Sequence, residues 1–339
     1  MKIKLFTHTD LDGVMCNVIL RFLCYNDVEV TYVGYNDIDE QIESWMNETD
    51  FRSNDLLLIT DICPHEETAA KIEEFRTARG IGVLCIDHHS TPYVLSVCEK
   101  YEWATTTPVY NSGIKACGAS LLFEILDAPV VPTWFDIRTD RNGRANSLVP
   151  LVLYTRLWDT FAWEELPKDD PNAGMAIKMS FLQSNCQSLD EFYNKLMCYA
   201  NSIYIKGISP ENMFTTEDQA FIDRQYEKLQ NKIKYYKTRF IKHKIRGCNV
   251  AIIFDDELAL MSLACNFALK ELDEIDFFMV INCKYLKLEF RTVKDGINLG
   301  KDIAPLFGGG GHPKAAGAEL NDTILTGMVH TMLAGYCYM

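Results

Sequence analysis

Three short apolar runs near the start of the chain each end on acids and histidines, and this limits the fold more than any other feature. Ile3 to Thr7 runs into His8-Thr9-Asp10-Leu11-Asp12-Gly13, Asp55 to Thr60 stops at Asp61, and Ile81 to Ile86 stops at Asp87-His88-His89. Runs of this length read as strands, as does Val28 to Gly34. Between them lie helical patterns such as Val14 to Tyr25 and Glu66 to Ala78, the latter followed by Gly80 in a C-cap position. Strands alternating with helices indicate an α/β fold, a parallel, doubly wound sheet with helices on both faces. In such a sheet the strand C-termini share one edge, and ligands bind in the crevice outside it. His8, Asp10, Asp12, Asp61, Asp87, His88 and His89 are thereby delivered to one rim.

Carboxylates gathered on one rim repel each other unless positive charge sits among them. Oxygen donors with a minority of imidazoles suit Mn2+, with Mg2+ or Fe2+ as alternatives, better than a structural zinc. A lone Asp after a strand is ordinarily a helix cap. Three acidic strand ends in succession, one followed by paired histidines, point instead to a metal-binding edge. A further acid, in Leu157-Trp158-Asp159-Thr160-Phe161-Ala162-Trp163, carries little weight by itself.

The 339 residues suffice for two domains, and 48% hydrophobic against 24% charged residues lets each bury a core. Helical patterns fill 119–204, interrupted by a polar loop from Arg138 to Arg144, and a long helix is expected over 217–244. A second α/β pattern follows: strand 249–254, helix 257–272, strands 277–282 and 285–291, a glycine-rich loop and a helix over 323–333. The boundary is expected between about residues 210 and 245, with the long helix as connector. Twelve cysteines without a CxxC pair, most in apolar surroundings, read as buried thiols of a reducing compartment. With no signal-peptide core and no run of about 20 apolar residues, a cytoplasmic protein without membrane partners is expected. A net charge of −14 excludes a coat for long duplex DNA.

Taken in order, His8 to Gly13 (His-x-Asp-x-Asp-Gly), Asp61, Asp87-His88-His89 and Asp159 resemble the four motifs of the DHH phosphoesterase superfamily. Phe307-Gly308-Gly309-Gly310-Gly311-His312-Pro313-Lys314-Ala315-Ala316-Gly317 resembles the signature of its DHHA1 substrate domain. Thr7 to Val14, Asp159 to Trp163 and Leu288 to Thr292 are most similar to the NrnB-type nanoRNA-degrading oligoribonucleases, whereas Arg138 to Arg144 has no counterpart in the pattern. The resemblance implies a DHH catalytic domain over 1–205, a helical connector over 206–246 and a smaller α/β DHHA1 domain over 247–339. It implies two divalent cations, Mn2+ preferred and Mg2+ possible. One would be held by His8, Asp10 and Asp61, the other by Asp12, Asp61, His88 and Asp159, with Asp61 bridging. Asp87 would orient a ligand imidazole and His89 would face the substrate phosphate. The ions would together activate a water for in-line attack at phosphorus, so no nucleophilic side chain is needed.

In the second domain, Gly309, Gly310 and Gly311 offer successive amides without Cβ atoms, a pattern able to form an anion nest to which His312 and Lys314 add charge. Arg291, after an apolar strand, suits a bidentate phosphate contact. Eight basic residues and no acid lie between Lys228 and Arg246, with Tyr235, Tyr236 and Phe240 interleaved. A basic helix is more often a solvated face, yet this one could draw in a short single strand and stack its bases. The expected activity is metal-dependent hydrolysis of short single-stranded oligonucleotides. The alternatives, in order, are phosphohydrolysis of cyclic or linear dinucleotides or of 3′-phosphoadenosine 5′-phosphate, a RecJ-like single-strand DNA exonuclease, and a non-catalytic nucleotide-binding module. A homodimer is left open as a further partnership.

Overall fold

The computed structural model describes residues 1–167, 170–257 and 260–320. The chain divides into two compact units, Met1–Ile222 and Asp223–Met339. The expected helix over 323–333 and residues 258 and 259 of the helix expected over 257–272 lie outside the described residues.

The first unit runs β1 (Lys2–His8), α1 (Leu11–Leu23), β2 (Asp27–Val33), α2 (Ile38–Glu48), β3 (Leu56–Thr60), α3 (Glu66–Arg79), β4 (Gly82–Asp87), α4 (Pro92–Lys100) and β5 (Ala104–Thr106). The helices α5 (Gly118–Asp127), α6 (Arg141–Asp159), α7 (Pro171–Gln183) and α8 (Leu189–Lys206) follow, and α9 (Thr216–Thr238) spans the division between the units. The five strands are all parallel, in the order β2-β1-β3-β4-β5. β3 and β4 are apolar on both faces, as strands buried from both sides must be. Phe6, Leu57, Ile59, Val83 and Cys85 pack beneath Ile38, Ile42, Ala69, Ile72, Val94 and Val97 of α2, α3 and α4. The other layer is built on α1, which packs against α5, α6 and α8.

The order reverses direction between β1 and β3, and α1 leaves β1 there through a very tight turn. A Cβ on Gly13 would lie 2.1 Å from the carbonyl oxygen of His8, so only glycine lets α1 start this close to the strand end. Behind the turn the Thr60 hydroxyl donates to Thr7 Oγ1 at 2.8 Å, and Thr7 donates to the Gly13 carbonyl at 3.0 Å, tying β1, β3 and α1 together in the buried interior.

The second unit contains β6 (Ile241–Ile245), β7 (Cys248–Phe254), α10 (Met261–Leu269), β8 (Phe277–Asn282), β9 (Lys287–Arg291), β10 (Gly310–Gly311) and β11 (Ala315–Glu319). Its sheet has the order β10-β11-β9-β8-β7-β6, with only β7 and β8 parallel. Val250, Phe277, Met279, Ile281, Leu288, Phe290, Leu299 and Ile303 form its core. No helix among the described residues is long and apolar enough to cross a membrane.

Two expectations are corrected. The helix over 217–244 ends at Thr238, and residues 241–245 of the expected connector are an edge strand of the second sheet. Ile-Lys-His-Lys-Ile alternates with the strand period. Arg246 (φ 48°) and Gly247 (φ 86°) supply the two left-handed residues of a tight hairpin turn into β7. The polar loop over Arg138 to Arg144 is a loop only in its first half, because α6 starts at Arg141. There Asp140 accepts from Arg144 Nε and from the Tyr204 hydroxyl, both at 2.8 Å.

Helix propensity alone would make Gly13→Ala stabilising by about 1 kcal/mol. The backbone overlap outweighs this, and the variant is expected to lose about 3 kcal/mol of unfolding free energy, the upper range for overpacking. Urea denaturation checks the sign.

Candidate metal centre

Each strand end in the crevice presents its polar residues in a different way. His8 closes β1. Asp10 follows as the N-cap of α1, its Oδ1 accepting from the Gly13 amide at 3.1 Å. Asp12 lies in the first turn of α1 and is buried. Its two oxygens accept from the first amides of α5, Gly118 N–H at 2.6 Å and Ala119 N–H at 2.9 Å. Asp61, one residue past β3, takes a left-handed backbone (φ 60°) and is 1% exposed. Aspartate enters that region more readily than most non-glycine residues, and residues held there collect at functional sites. Asp87 ends β4, and Asp159 is the last residue of α6.

These side chains converge. His88 Nε2 lies 3.2 Å from Asp61 Oδ1, 3.4 Å from Asp159 Oδ2 and 4.0 Å from Asp12 Oδ2. His8 Nδ1 lies 2.8 Å from Asp10 Oδ2 and 3.9 Å from Asp61 Oδ2. Asp61 thus turns one oxygen toward each imidazole. Ligand atoms of His8, Asp10 and Asp61 lie within 4.8 Å of one another, as do those of Asp12, His88 and Asp159, and those of Asp61, Asp87, His88 and His89.

Several of these atoms are buried without a hydrogen-bond partner: His8 Nδ1, both oxygens of Asp61, His88 Nε2, Asp159 Oδ2 and Asp87 Oδ2. The short His8–Asp10 approach is not aligned as a hydrogen bond. Buried polar atoms are normally satisfied, and leaving one bare costs about 1–3 kcal/mol. A set of bare carboxylate oxygens and imidazole nitrogens facing one another fits a divalent cation of borderline or hard character.

The carboxylates divide electrostatically. Burial, followed by repulsion from Asp12 and Asp10, pushes Asp61 and Asp159 well above the ordinary carboxylate range. Burial opposes ionisation of Asp10 too, but the neighbouring His8 and the Gly13 amide hold it down at about 2. Burial also disfavours the charged form of Asp87, yet His89 outweighs this and lowers it. Burial lowers His88, whereas the carboxylate of Asp87 overcomes burial and raises His89.

Asp87 orients an imidazole, but the one it holds is His89: Oδ1 accepts from His89 Nδ1 at 2.7 Å and from the His88 and His89 amides at 2.7 and 3.2 Å. Two residues of the cluster are absent from the sequence reading. Gly118 packs so closely that a Cβ there would lie 2.7 Å from Asp61 Cβ. Its only sequence signal is the small-residue run Ala116-Cys117-Gly118-Ala119-Ser120 opening a helix. Tyr35 follows β2 on the same sheet edge and places its hydroxyl 3.2 Å from His89 Nε2. The turn Gly34-Tyr35-Asn36-Asp37 after a strand is the available clue.

In the second unit the glycine-rich segment is not a linker. A Cβ on Gly309 would lie 2.0 Å from the Gly317 carbonyl oxygen and one on Gly300 would lie 1.9 Å from that of Gly311. The expected nest is not available from most of its amides. Gly308 donates to Pro305, Gly309 to Ala304 and His312 to Ala315, while Gly310 and Gly311 pair with β11. The Arg291 guanidinium is also engaged, Nε donating to Ser262 at 2.7 Å and Nη1 to Glu289 and to the Phe290 and Ala316 carbonyls. His312 and Lys314 are exposed. The aromatic residues of the basic stretch already have partners within the second unit, Tyr235 while 43% exposed. Tyr236 is fully buried with its hydroxyl on Asp255, Phe240 packs on Phe278, and Tyr235 donates to the Phe254 carbonyl.

Motif order and site resemble those of an enzyme of the DHH phosphoesterase type, a hydrolase. No protein-family model matches the chain. It is 26% identical over 323 residues to the oligoribonuclease NrnB of Bacillus subtilis (strain 168), spanning 94% of this chain and 73% of that protein. Among solved structures, RecJ of Thermus thermophilus in complex with Mn2+ has a TM-score of 0.52 at 14% identity, covering 100% of this chain and 52% of RecJ. A second RecJ exonuclease bound to manganese has a TM-score of 0.51 at 14% identity, covering 96% of this chain and 87% of its own. These structural likenesses are of fold.

The raised carboxyls fix how the metal-free protein responds to pH. Its folded state keeps protons on Asp61 and Asp159 above the 3.8 at which the unfolded chain releases them. The unfolded state therefore binds fewer protons, and stability falls as pH rises from about 4 toward neutrality. Asp61→Asn or Asp159→Asn is expected to raise the melting temperature in EDTA at neutral pH and to flatten this decline. Thermal melts across pH check both.

Proposed function

We propose that the chain is a metal-dependent phosphodiesterase acting on short single-stranded oligonucleotides, an exonuclease of nanoRNA type. One observation carries the reading: the bare, buried atoms of His8, Asp61, His88 and Asp159 converge on one crevice at the strand ends. His8, Asp10 and Asp61 would hold one cation and Asp12, Asp61, His88 and Asp159 a second, with Asp61 giving one oxygen to each. We infer Mn2+ as the preferred ion and Mg2+ as an alternative. Such ions acidify a water and neutralise charge developing on phosphoryl oxygens.

The remaining steps belong to side chains. Asp87, fixed on the His89 Nδ1, presents Nε2 of that ring to a phosphoryl oxygen of the substrate. Asp12, tied to the first amides of α5, keeps its carboxylate in place as the substrate enters. In the second unit we assign substrate holding to His312 and Lys314, with Arg291 and the Gly309 to Gly311 segment shaping their support.

Electrostatics favours a nucleic-acid substrate. Of the eight basic residues between Lys228 and Arg246, Lys232 pairs with Asp255 and Lys237 with Glu271. Lys228, Lys234, Arg239, Lys242, Lys244 and Arg246 are exposed and form no ion pair among the described residues. Unpaired cations in a chain of net charge −14 attract phosphates without reading bases. Free cysteines throughout the described residues support a reducing, cytoplasmic setting.

The test is Mn2+-dependent hydrolysis of bis-p-nitrophenyl phosphate beside labelled RNA and DNA strands of graded length, cyclic dinucleotides and 3′-phosphoadenosine 5′-phosphate. Turnover is expected to be greatest on short linear strands and to vanish in Asp61→Asn. His312→Ala is expected to lose more on oligonucleotides than on the small diester, because binding energy from remote substrate groups is used for positioning. Near-normal turnover in Asp61→Asn overturns the reading.

A further inference from the structure

The loop after β2 holds an aromatic residue with no part in the scheme above. Tyr35 is 46% exposed at the sheet edge where the metal-binding side chains gather. Its ring lies 5.1 Å from that of His8 and 6.1 Å from that of His89, in the second case edge-on at 87°. Its hydroxyl is 3.2 Å from His89 Nε2, and on the far side of the same imidazole Asp87 Oδ1 is 2.7 Å from Nδ1. His89 also has its carbonyl bound by the Thr106 hydroxyl at 2.7 Å and its amide bound by Asp87. Backbone and ring are therefore fixed from four directions, and Tyr35 supplies the one contact that faces open solvent.

We propose that Tyr35 is a positioning residue for the reaction: it fixes the His89 ring through Nε2 and yields that nitrogen to the substrate phosphate on binding. This rests on the reading of His89 as a phosphate-facing group. A carboxylate only accepts, so Nδ1 carries a hydrogen and donates it to Asp87, which leaves Nε2 to the Tyr35 hydroxyl, a group able to donate or to accept. An imidazole held only at Nδ1 keeps freedom to rock about that bond. A second hydrogen bond at Nε2 removes that freedom before substrate arrives, which lowers the entropic cost of engaging phosphate. The phenol lies at the rim, so it can swing aside into solvent without opening a buried cavity.

Tyr35→Phe keeps the ring and deletes the bond. A hydrogen bond of ordinary net strength corresponds to a loss of up to about tenfold in kcat/KM. The proposal requires that this loss act through His89. Tyr35→Phe in a His89→Ala background is expected to cost nothing further, whereas independent roles give multiplied losses and overturn it. The Mn2+ concentration at the midpoint of the thermal shift is expected to be unchanged in Tyr35→Phe, and a displaced midpoint would mean that Tyr35 serves the metal ligands instead.

A readout apart from turnover uses the metal-free full-length protein with 15N-labelled histidine. The His89 Nε2 signal is expected to move in Tyr35→Phe while the His88 signals stay in place. A stationary His89 signal overturns the contact itself. A shift in a protein that hydrolyses none of the phosphodiesters tested would leave the contact standing and would overturn its catalytic role together with the function proposed for the centre.

Discussion

The carboxylate of Asp61 sits buried at the seam between β1 and β3, with Asp10, Asp12 and Asp159 around it, and the rest of the first unit is arranged to keep it there. A group so placed is costly in either form. Charged, it is repelled by its neighbours; bare of partners, it forgoes hydrogen bonds. The fold answers part of this cost with backbone dipoles. Asp10 caps α1 and Asp12 receives the leading amides of α5, so two of the four acids rest on the positive ends of helices. Asp61 and Asp159 receive no such help, and theirs are the carboxyls pushed upward. Backbone amides thus support two of the four acids and leave the other two without a backbone donor.

That division explains features that otherwise look unrelated. Gly13 and Gly118 are the positions at which α1 and α5 approach the strand ends too closely for any side chain. The hydroxyls of Thr7 and Thr60 link the two strands beneath the cluster and fix the spacing of His8 and Asp61. The left-handed backbone of Asp61 costs about 1–3 kcal/mol, and it aims two oxygens in two directions from a single residue.

Much of this can be read from the sequence because strand ends and their polar residues are local signals. Three apolar runs that stop on His8, Asp61 and Asp87 define the edge of a parallel sheet before any packing is known. Asp159 is legible only through its resemblance to a family motif, since a single acid at a helix end has no local signature. Gly118 and Tyr35 depend on how α5 and the β2 loop come back to the edge, which is long-range information. In the second unit the failures share one cause. By charge alone the basic stretch reads as helix throughout, although Ile241 to Ile245 alternates with the strand period. The amides of the glycine run and the rings of Tyr236 and Phe240 look free for a ligand in the sequence, when most of those amides are bonded to backbone carbonyls and both rings pack on Phe278.

The hairpin of β6 and β7 has one more consequence, for association. Among the described residues β6 is the outer strand of its sheet, with a row of backbone donors and acceptors of the kind that templates growth from molecule to molecule left unpaired there. Lys242, His243, Lys244 and Arg246 lie along that row. A second copy approaching antiparallel would bring the same basic side chains against them, like charge opposite like charge. Like charge on both copies therefore opposes self-addition along this strand.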